Sequence, residues 1–505
     1  MRLLATILAS LPPLLTFCAL WQIKEWRIDR LYDHLRTEGA LRQIFGIARV
    51  PLTAAWYVTA AVGMLTGQRA ADGALASLVI LGAAQFLRRH QRLPVWTAKS
   101  IMVCGASVGI TAAAAAVLRH SGLHALPLLV LLQPLVCALV WSALLPLDTI
   151  LKSKILRRAG ELRKQHPNLV VIGVTGSVGK TTTKELVACA LGADALSTPA
   201  YVNSEIGVAR WLIQTLSKDK KTLPKVLVVE MGAYRTGEIA KLCRCAKPTI
   251  GVITYVGTQH IALFGSQEGI VRAKGELLAA VPEQGQAFLN ADCERVLGMR
   301  DRCSCPVTTV GTGGNGDLQA YDIEETSQGL RMRIGTTMFH VAMHGTQNAS
   351  NILLAVAVAE HLGVQRNVVA NRLARFKPLV GTFCVQSRDG VTVLDDTHNC
   401  SPESASAAVR WATVRDEREK VLLTSGIIEQ GMESERVHRE LGAQCAGTFR
   451  RVIFTNKRFA QIFEQGYGKT VEIYSDTIPR VPRGSLLVCL GRVPAKAVER
   501  MIPLS

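Results

Sequence analysis

Five long apolar runs crowd the first third of the chain, at roughly residues 3–21, 50–67, 73–87, 100–118 and 124–147. Each approaches the ~20 residues that a helix needs to cross a hydrocarbon core. In lipid a backbone must satisfy its own hydrogen bonds, so runs of this kind are restricted to helices or closed barrels. The second and third runs are short and rich in Ala and Gly. A cleaved leader followed by core helices is the alternative. It fits poorly, because only Arg2 precedes the first run, Leu11-Pro12-Pro13-Leu14 interrupts it, and four more runs follow.

The flanks of these runs carry an orientation signal. Lys24, Arg27, Arg30, Arg36, Arg42 and Arg49 follow the first run; Arg88, Arg89, Arg92 and Lys99 follow the third; Lys152, Lys154, Arg157, Arg158, Arg163 and Lys164 follow the fifth. The alternate connections hold only Arg69 and Arg119. Basic and bare loops alternate as expected for an odd number of spans with the C-terminus in the cytoplasm. This accounts for most of the net charge of +19. Residues 1–165 hold 19 Lys/Arg against 7 Asp/Glu, a net +12, and the rest carries +7. A nucleic-acid partner is therefore not expected. The expected site is the inner (cytoplasmic) membrane, multi-pass, with the remaining domains in the cytoplasm and the lipid bilayer as a partner. The 13 Cys are scattered, and a cytoplasmic setting implies reduced thiols. Cys243-x-Cys245 and Cys303-x-Cys305 are spaced too tightly for the usual zinc pattern.

From about residue 167 the texture changes to short apolar stretches separated by polar, Gly-containing turns. Residues 169–174, Val226–Val229, Ile250–Tyr255 and Ala287–Leu289 read as strands, with a helix over Thr183–Leu191. A second block begins near Phe376, with strands expected at Val391–Leu394, Val421–Thr424, Arg451–Thr455 and Leu486–Cys489. Alternating strands and helices imply parallel α/β sheets. The expected organisation is a transmembrane region of about five helices (1–150), a basic linker (151–166), a central α/β domain (167–372) and a smaller Rossmann-like α/β domain (376–505).

The strongest motif is Gly173-Val-Thr-Gly-Ser-Val-Gly-Lys-Thr-Thr-Thr183, placed between a strand and a helix. Gly176 and Gly179 permit the tight turn that aims successive N–H groups at a phosphate, and the helix N-terminus adds positive dipole character. Lys180 would reach the β/γ-phosphates and Thr181 would place its hydroxyl on Mg²⁺. Val174 stands where the strict pattern has Gly. Gly176, Ser177, Gly179, Lys180, Thr181 and Thr182 are the candidate nucleotide contacts.

A set of collinear stretches extends this motif: Asn203-Ser-Glu-Ile-Gly-Val208, Val229-Glu-Met-Gly-Ala233, Ile253-Thr-Tyr-Val-Gly-Thr-Gln-His260, Ala273-Lys-Gly-Glu-Leu277, Leu289-Asn-Ala-Asp292, Gly345-Thr-Gln-Asn-Ala-Ser-Asn351 and Leu394-Asp-Asp-Thr-His-Asn399. Over residues 167–505 the chain resembles the Mur ligase family, nearest its D-alanyl-D-alanine-adding branch. The resemblance implies a P-loop ATPase domain and an ADP-forming ligase that activates a carboxylate as an acyl phosphate and passes it to an amine. It implies ATP and two Mg²⁺ as cofactors. Thr181 and Glu230 then resemble ligands of the phosphate-bound Mg²⁺, His260 a ligand of the second, and Lys274 a lysine carbamylated with CO₂. Lys180, Glu230, His260 and Lys274 are the implied catalytic set. Asn290, Asn348 and Asn351 resemble nucleotide-contacting amides, which donate and accept side by side. Asp396 resembles an acid that the C-terminal domain brings over the site. His438 matches a C-terminal-domain position of the branch and is as readily a structural hydrogen-bonding residue.

The departures shape the functional expectation. Thr382 follows Gly381 where the family has Arg. Asn399-Cys-Ser-Pro402 and Leu490-Gly-Arg492 alter stretches on the amine side. Apolar spans replace the family's UDP-binding N-terminal domain. The expected substrates are therefore a lipid-linked or polymeric acid and an amino-acid or short-peptide amine other than D-alanyl-D-alanine, with other envelope-synthesis membrane proteins as possible partners. Three alternatives stay open: a poly-γ-glutamate-type synthetase, a catalytically weak scaffold for wall synthesis, and a transport ATPase.

Overall fold

The computed structural model describes residues 1–503 apart from 39, 120–123, 219–222, 399 and 476. By contacts the chain divides into two compact units, Met1–Lys152 and Ser153–Ser505. The first unit is helical: α1 (Arg2–Ile23), α2 (Ile28–Glu38), α3 (Ala40–Phe45), α4 (Arg49–Ala61), α5 (Gly67–Leu87), α6 (Ala98–Leu118), α7 (Leu126–Leu131) and most of α8 (Gln133–Lys164). Among the described residues four helices, α1, α5, α6 and α8, are long and apolar enough to cross a membrane. The run at 50–67 differs from expectation. It ends as a helix at Ala61, because Gly63 takes a left-handed conformation (φ +77°) and closes the last turn. Thirteen residues reach only about 20 Å. Pro12 and Pro13 lie inside α1 without ending it.

The helices nevertheless alternate in direction. Arg2, at the start of α1, pairs with Asp72 near the start of α5 (2.7 Å). Pro12, further along α1, faces Gly82, further along α5, so the two run parallel. Between them α4 runs back: Arg49 hydrogen-bonds Gln85 (2.7 Å), and the Trp56 indole reaches Ser77 (3.2 Å). Ala9 shares a core with Ala115, and Cys18 shares another with Cys104, so α6 opposes α1. In turn α8 opposes α6, through Lys99–Asp148 (2.5 Å) and Gln133–Thr111 (3.0 Å). The basic segments at 24–49 and 88–99, with Lys152, thus gather at one end of the bundle and Arg69 and Arg119 at the other. A buried aromatic cluster of Trp21, Trp26 and Trp141 lies toward the basic end.

The second unit holds two sheets. Nine strands form the first: β1 (Val170–Thr175), β2 (Ala195–Ser197), β3 (Val226–Glu230), β4 (Ile250–Ile253), β5 (Gln286–Asn290), β6 (Val307–Gly311), β7 (Leu318–Thr326), β8 (Gly329–Ile334) and β9 (Thr337–Val341). Their order is β2-β3-β1-β4-β5-β6-β7-β8-β9, parallel up to the β6–β7 pair and antiparallel beyond it. Six form the second: β10 (Cys384–Arg388), β11 (Val391–Asp396), β12 (Lys420–Thr424), β13 (Arg451–Phe454), β14 (Glu472–Ile473) and β15 (Leu486–Leu490), ordered β10-β11-β15-β12-β13-β14 and parallel except for β10. The strands expected from buried apolar runs are all present. Those not foreseen, β2, β6–β9, β10 and β14, are very short or have polar residues among their apolar ones, as in Val307-Thr-Thr-Val310 and Leu330-Arg-Met-Arg-Ile334, so they lack a continuous apolar run.

Period-two alternation places Ile172 and Val174 in one core and Val171 in the other, on opposite faces of β1. Gly173 falls on the second face, where a Cβ would meet the Leu277 side chain at 2.7 Å. Its absence lets the helix Gln267–Ala280 press onto the sheet, and that helix carries Lys274. On the helix Ala460–Tyr467, packed against the second sheet, Phe463 is fully buried, with its ring 5.2 Å from that of Phe454 on β13. Phe463→Ala should lower the stability of this sheet by about 3–5 kcal/mol. Denaturant unfolding of the solubilised chain, followed through the second unit's fluorescence, checks this as a lower midpoint at unchanged slope.

Candidate active site

Between β1 and α9 (Lys180–Leu191) the chain turns through Gly176 (φ +153°) and Gly179 (φ +83°). A Cβ on Gly179 would stand 2.6 Å from Asn351 Oδ1, and one on Gly176 would strike Thr254 Oγ1. The neighbours that exclude side chains also hold the loop. Thr254 Oγ1 donates to Val178 O (2.6 Å), Ser177 N to Tyr255 O (2.6 Å), and Thr183 Oγ1 to Asn351 Oδ1 (3.1 Å). Asn351 Nδ2 donates in turn to Asn348 Oδ1 (2.9 Å). Asn348 and Asn351 therefore brace the loop, which the family resemblance did not convey. Val174 lies in the strand itself, fully buried and level with Glu230 on β3.

A cavity of about 660 Å³ opens at the strand ends. Ser177, Gly179, Lys180, Thr181, Thr182, Glu230, Asn290, Asn348 and Asn351 line it from the first sheet, and Asp396 lines it from the second. Gly176 shapes the turn without reaching the wall. Lys180 Nζ donates to Ser177 O (2.7 Å), and burial pushes its pKa down against the pull of Glu230. Glu230 Oε1 accepts from Asn203 Nδ2 (2.9 Å), whereas Oε2 is buried with no hydrogen-bond partner. Asp396 ends β11; Phe383 N donates to its Oδ1 (3.2 Å), Oδ2 has no such partner, and burial pushes the carboxyl up to about 6.

His260 and Lys274 lie beside this cavity rather than on its wall, within electrostatic reach of Lys180. Burial drives the Lys274 pKa down to about 7, and Lys180 adds to the shift. A largely neutral amine is the form to which CO₂ adds. His260 pairs through Nδ1 with Glu429 from the second sheet's side (2.5 Å). Burial pushes the imidazole down, partly opposed by that carboxylate. A carboxylate behind one ring nitrogen is the usual support for a metal-bound histidine. The partnerless Glu230 oxygen and the Thr181 hydroxyl on the cavity wall are oxygen donors of the kind Mg²⁺ takes, although among the described residues no three His, Cys, Asp or Glu side chains gather into a metal centre.

Glu429 is one of several residues that motif reading passed over as site residues. Glu403 accepts from Thr258 N (2.7 Å) and Thr258 Oγ1 (3.0 Å), so two acids following the second sheet's strands grip the 257–260 loop. Tyr201 stacks on His398 (3.6 Å between centroids) where the main cavity meets a second one of about 600 Å³. Arg410 and Thr382 line the main cavity as well. Only long-range packing assembles these groups, so no local pattern marks them. Asn399 lies outside the described residues. His438 is structural: it accepts from Ile427 N at Nε2 (3.0 Å), faces Ser434 O through Nδ1 (2.6 Å) and stacks on Phe459. Cys243 and Cys245 are buried, which pushes each thiol up to about 12, the reverse of what a metal thiolate needs.

A strand, a glycine loop and a helix beginning at lysine, with a second parallel sheet contributing an acid, define an α/β protein of the phosphate-loop class. The model of the Mur ligase middle domain matches residues 174–359. The UDP-N-acetylmuramoyl-tripeptide–D-alanyl-D-alanine ligase of Synechocystis is 35% identical over 283 residues, 56% of this chain and 60% of that protein. The enzyme of the same name from Escherichia coli K12 is 30% identical over 352 residues, 66% of this chain and 74% of that protein. The chain thus spans about three-fifths of the length of its Synechocystis relative. The crystal structure of Thermotoga maritima MurF ligase in complex with ADP superposes with a TM-score of 0.59 at 27% identity, covering 69% of this chain and 82% of that one. The chain belongs to the Mur ligase family.

Two outcomes are expected from the geometry. Gly179→Ala, which adds a side chain at positive φ against Asn351, should weaken ADP binding by about 10- to 100-fold in calorimetry. His438, whose pKa burial pushes down to about 4, should remain neutral from pH 8 to pH 5. Because this value lies below the unfolded one of about 6.5, its stabilising effect is complete above pH 6.5 and is lost as pH falls toward 4. Nitrogen-resolved NMR of labelled histidine should show a constant Nδ1–H tautomer across that interval.

Proposed function

We propose that this chain is a membrane-anchored, ATP-dependent, ADP-forming amide ligase acting in cell-envelope peptide or polymer synthesis. One observation carries the reading: a phosphate loop, a buried Glu230 with an uncompensated oxygen, and Asp396 from the second sheet face one cavity, with His260 and Lys274 beside it. In the proposed reaction a substrate carboxylate oxygen attacks the γ-phosphorus of ATP, giving an acyl phosphate and ADP. An amine then attacks the acyl carbon, phosphate leaves, and the amine's proton is lost to form the amide.

The chain's own groups divide this work. Backbone N–H groups of 176–180 and the α9 N-terminus cradle the phosphates. Lys180 follows the charge that builds on the γ-phosphoryl oxygens. Thr181 and Glu230 would hold one Mg²⁺, and His260 with carbamylated Lys274 a second. Magnesium supplies charge neutralisation between two anions that otherwise repel. Asn290 offers its amide to the nucleotide while Asn348 and Asn351 hold the loop beside it, and Asp396 closes the cavity from the second sheet, excluding water from an acyl phosphate that hydrolyses readily.

The anchoring rests on the four long apolar helices and the gathering of basic segments at one end of the bundle. The family's UDP-binding region has no counterpart in a unit of helices, so we infer a lipid-linked or polymeric acid as the carboxylate substrate. The related ligases named above act on a UDP-N-acetylmuramoyl tripeptide. The acceptor is an amino acid or a short peptide.

Full-length protein in nanodiscs should release ADP only when an acid-bearing membrane extract and an amine are both present. Mass spectrometry should find the new amide, and Lys180→Ala should reduce turnover at least about 100-fold. Tight binding of the UDP-linked tripeptide would overturn the lipid-linked assignment; amine-independent hydrolysis would overturn the ligase. For the anchor, Arg69→Cys should label from outside intact cells and Arg92→Cys only after permeabilisation.

A further inference from the structure

Lys184 is the residue in this region that the proposed reaction leaves without a task. It lies one turn beyond Lys180 on the same face of α9, and its side chain is wholly buried. An ammonium group in such a place is costly unless it is paired on every side. Its Nζ donates to Thr198 O (2.7 Å), pairs with Glu185 Oε1 (2.8 Å) and stands 3.9 Å from Glu230 Oε2. That last oxygen is the one with no hydrogen-bond partner. The rest of Glu230 is held by Asn203 on Oε1 and by Thr198 Oγ1, which accepts from Glu230 N (3.1 Å). Thr198 thus serves both residues, through its carbonyl for Lys184 and its hydroxyl for the Glu230 backbone.

We infer that Lys184 is a positioning residue for Glu230: its ammonium, anchored by Thr198 and Glu185, sets the carboxylate's direction and keeps Oε2 available to a cation in the cavity. At 3.9 Å the lysine attracts that oxygen without taking it in a hydrogen bond. It also balances the charge of Glu230 from behind, so that Lys180 rests on Ser177 O instead of collapsing onto the carboxylate. The inference builds on the proposed role of Glu230 toward phosphate-bound Mg²⁺.

The test is calorimetry of ADP binding to the full-length chain in nanodiscs, with Mg²⁺ as the titrated variable. Lys184→Met should raise the Mg²⁺ needed for half-maximal enhancement by about 10- to 100-fold, the range for a residue supporting a metal ligand. Metal-free ADP binding should stay within about twofold, and Lys184→Arg should restore most of the Mg²⁺ response. If Lys184→Met does not fold, Lys184→Gln, which keeps a donor for Thr198 O, carries the same expectation. A folded variant with an unchanged Mg²⁺ requirement, alongside a Glu230→Gln that raises it, would show that Lys184 only fills space and pairs with Glu185. If Glu230→Gln also leaves the requirement unchanged, the metal reading of Glu230 fails, and the inference falls with it.

Discussion

One buried carboxylate organises the phosphate-loop site of this protein. Glu230 ends β3 beside the phosphate loop, with Lys180, Lys184 and Lys274 all within electrostatic reach. Each lysine would be expensive to bury alone. Together with Glu230, with Glu185 on Lys184 and with Glu238 and Glu276 near Lys274, they form one buried charge network at the strand ends. Burial depresses both the Lys180 and the Lys274 pKa; Lys180 adds to the shift at Lys274, and Glu230 opposes it at both.

The second layer of control comes from the other sheet. Asp396, Glu403 and Glu429 all reach across from that side, the first into the cavity and the others onto the loop that ends in His260. The Trp411 indole donates to Glu325 (3.0 Å) on the same seam. The two sheets have separate cores, so polar contacts rather than continuous packing join them at the site. Such contacts make and break with less loss than a buried apolar interface. That suits the proposed ligase, which would admit two substrates and then exclude water.

The helical unit follows a different logic. Its sequence is apolar nearly all round, and its exposed residues include Leu4, Ile80, Ile101, Ile110 and Leu139. Its polar contacts include the ion pairs Arg2–Asp72 and Lys99–Asp148. Four long helices and one short one alternate in direction, which puts the basic segments together without any attraction between them. Their common feature is the end of the bundle they occupy.

Much of this was legible in the residue string. Apolar run length marked the four helices long enough to cross a membrane, and the buried strands of both sheets showed as short continuous apolar runs. The phosphate loop declared itself because its glycines, lysine and threonine must be adjacent to work. Local order, in short, was determined locally. Helix α4 fell short because a single glycine at positive φ ends it, a matter of backbone geometry that hydropathy does not register. Strands β7–β9 were hidden because polar residues such as Asp322, Glu324, Arg331, Arg333 and His340 interrupt them, leaving no continuous apolar run. Only the tertiary structure decided that Asn348 and Asn351 brace the loop, that Glu429 backs His260, that His438 is a buried support, and that Lys184 stands behind Glu230. Those relations join residues about 10 to 170 positions apart. They exist only once the sheets have brought distant strand ends to one place, which no local spacing encodes.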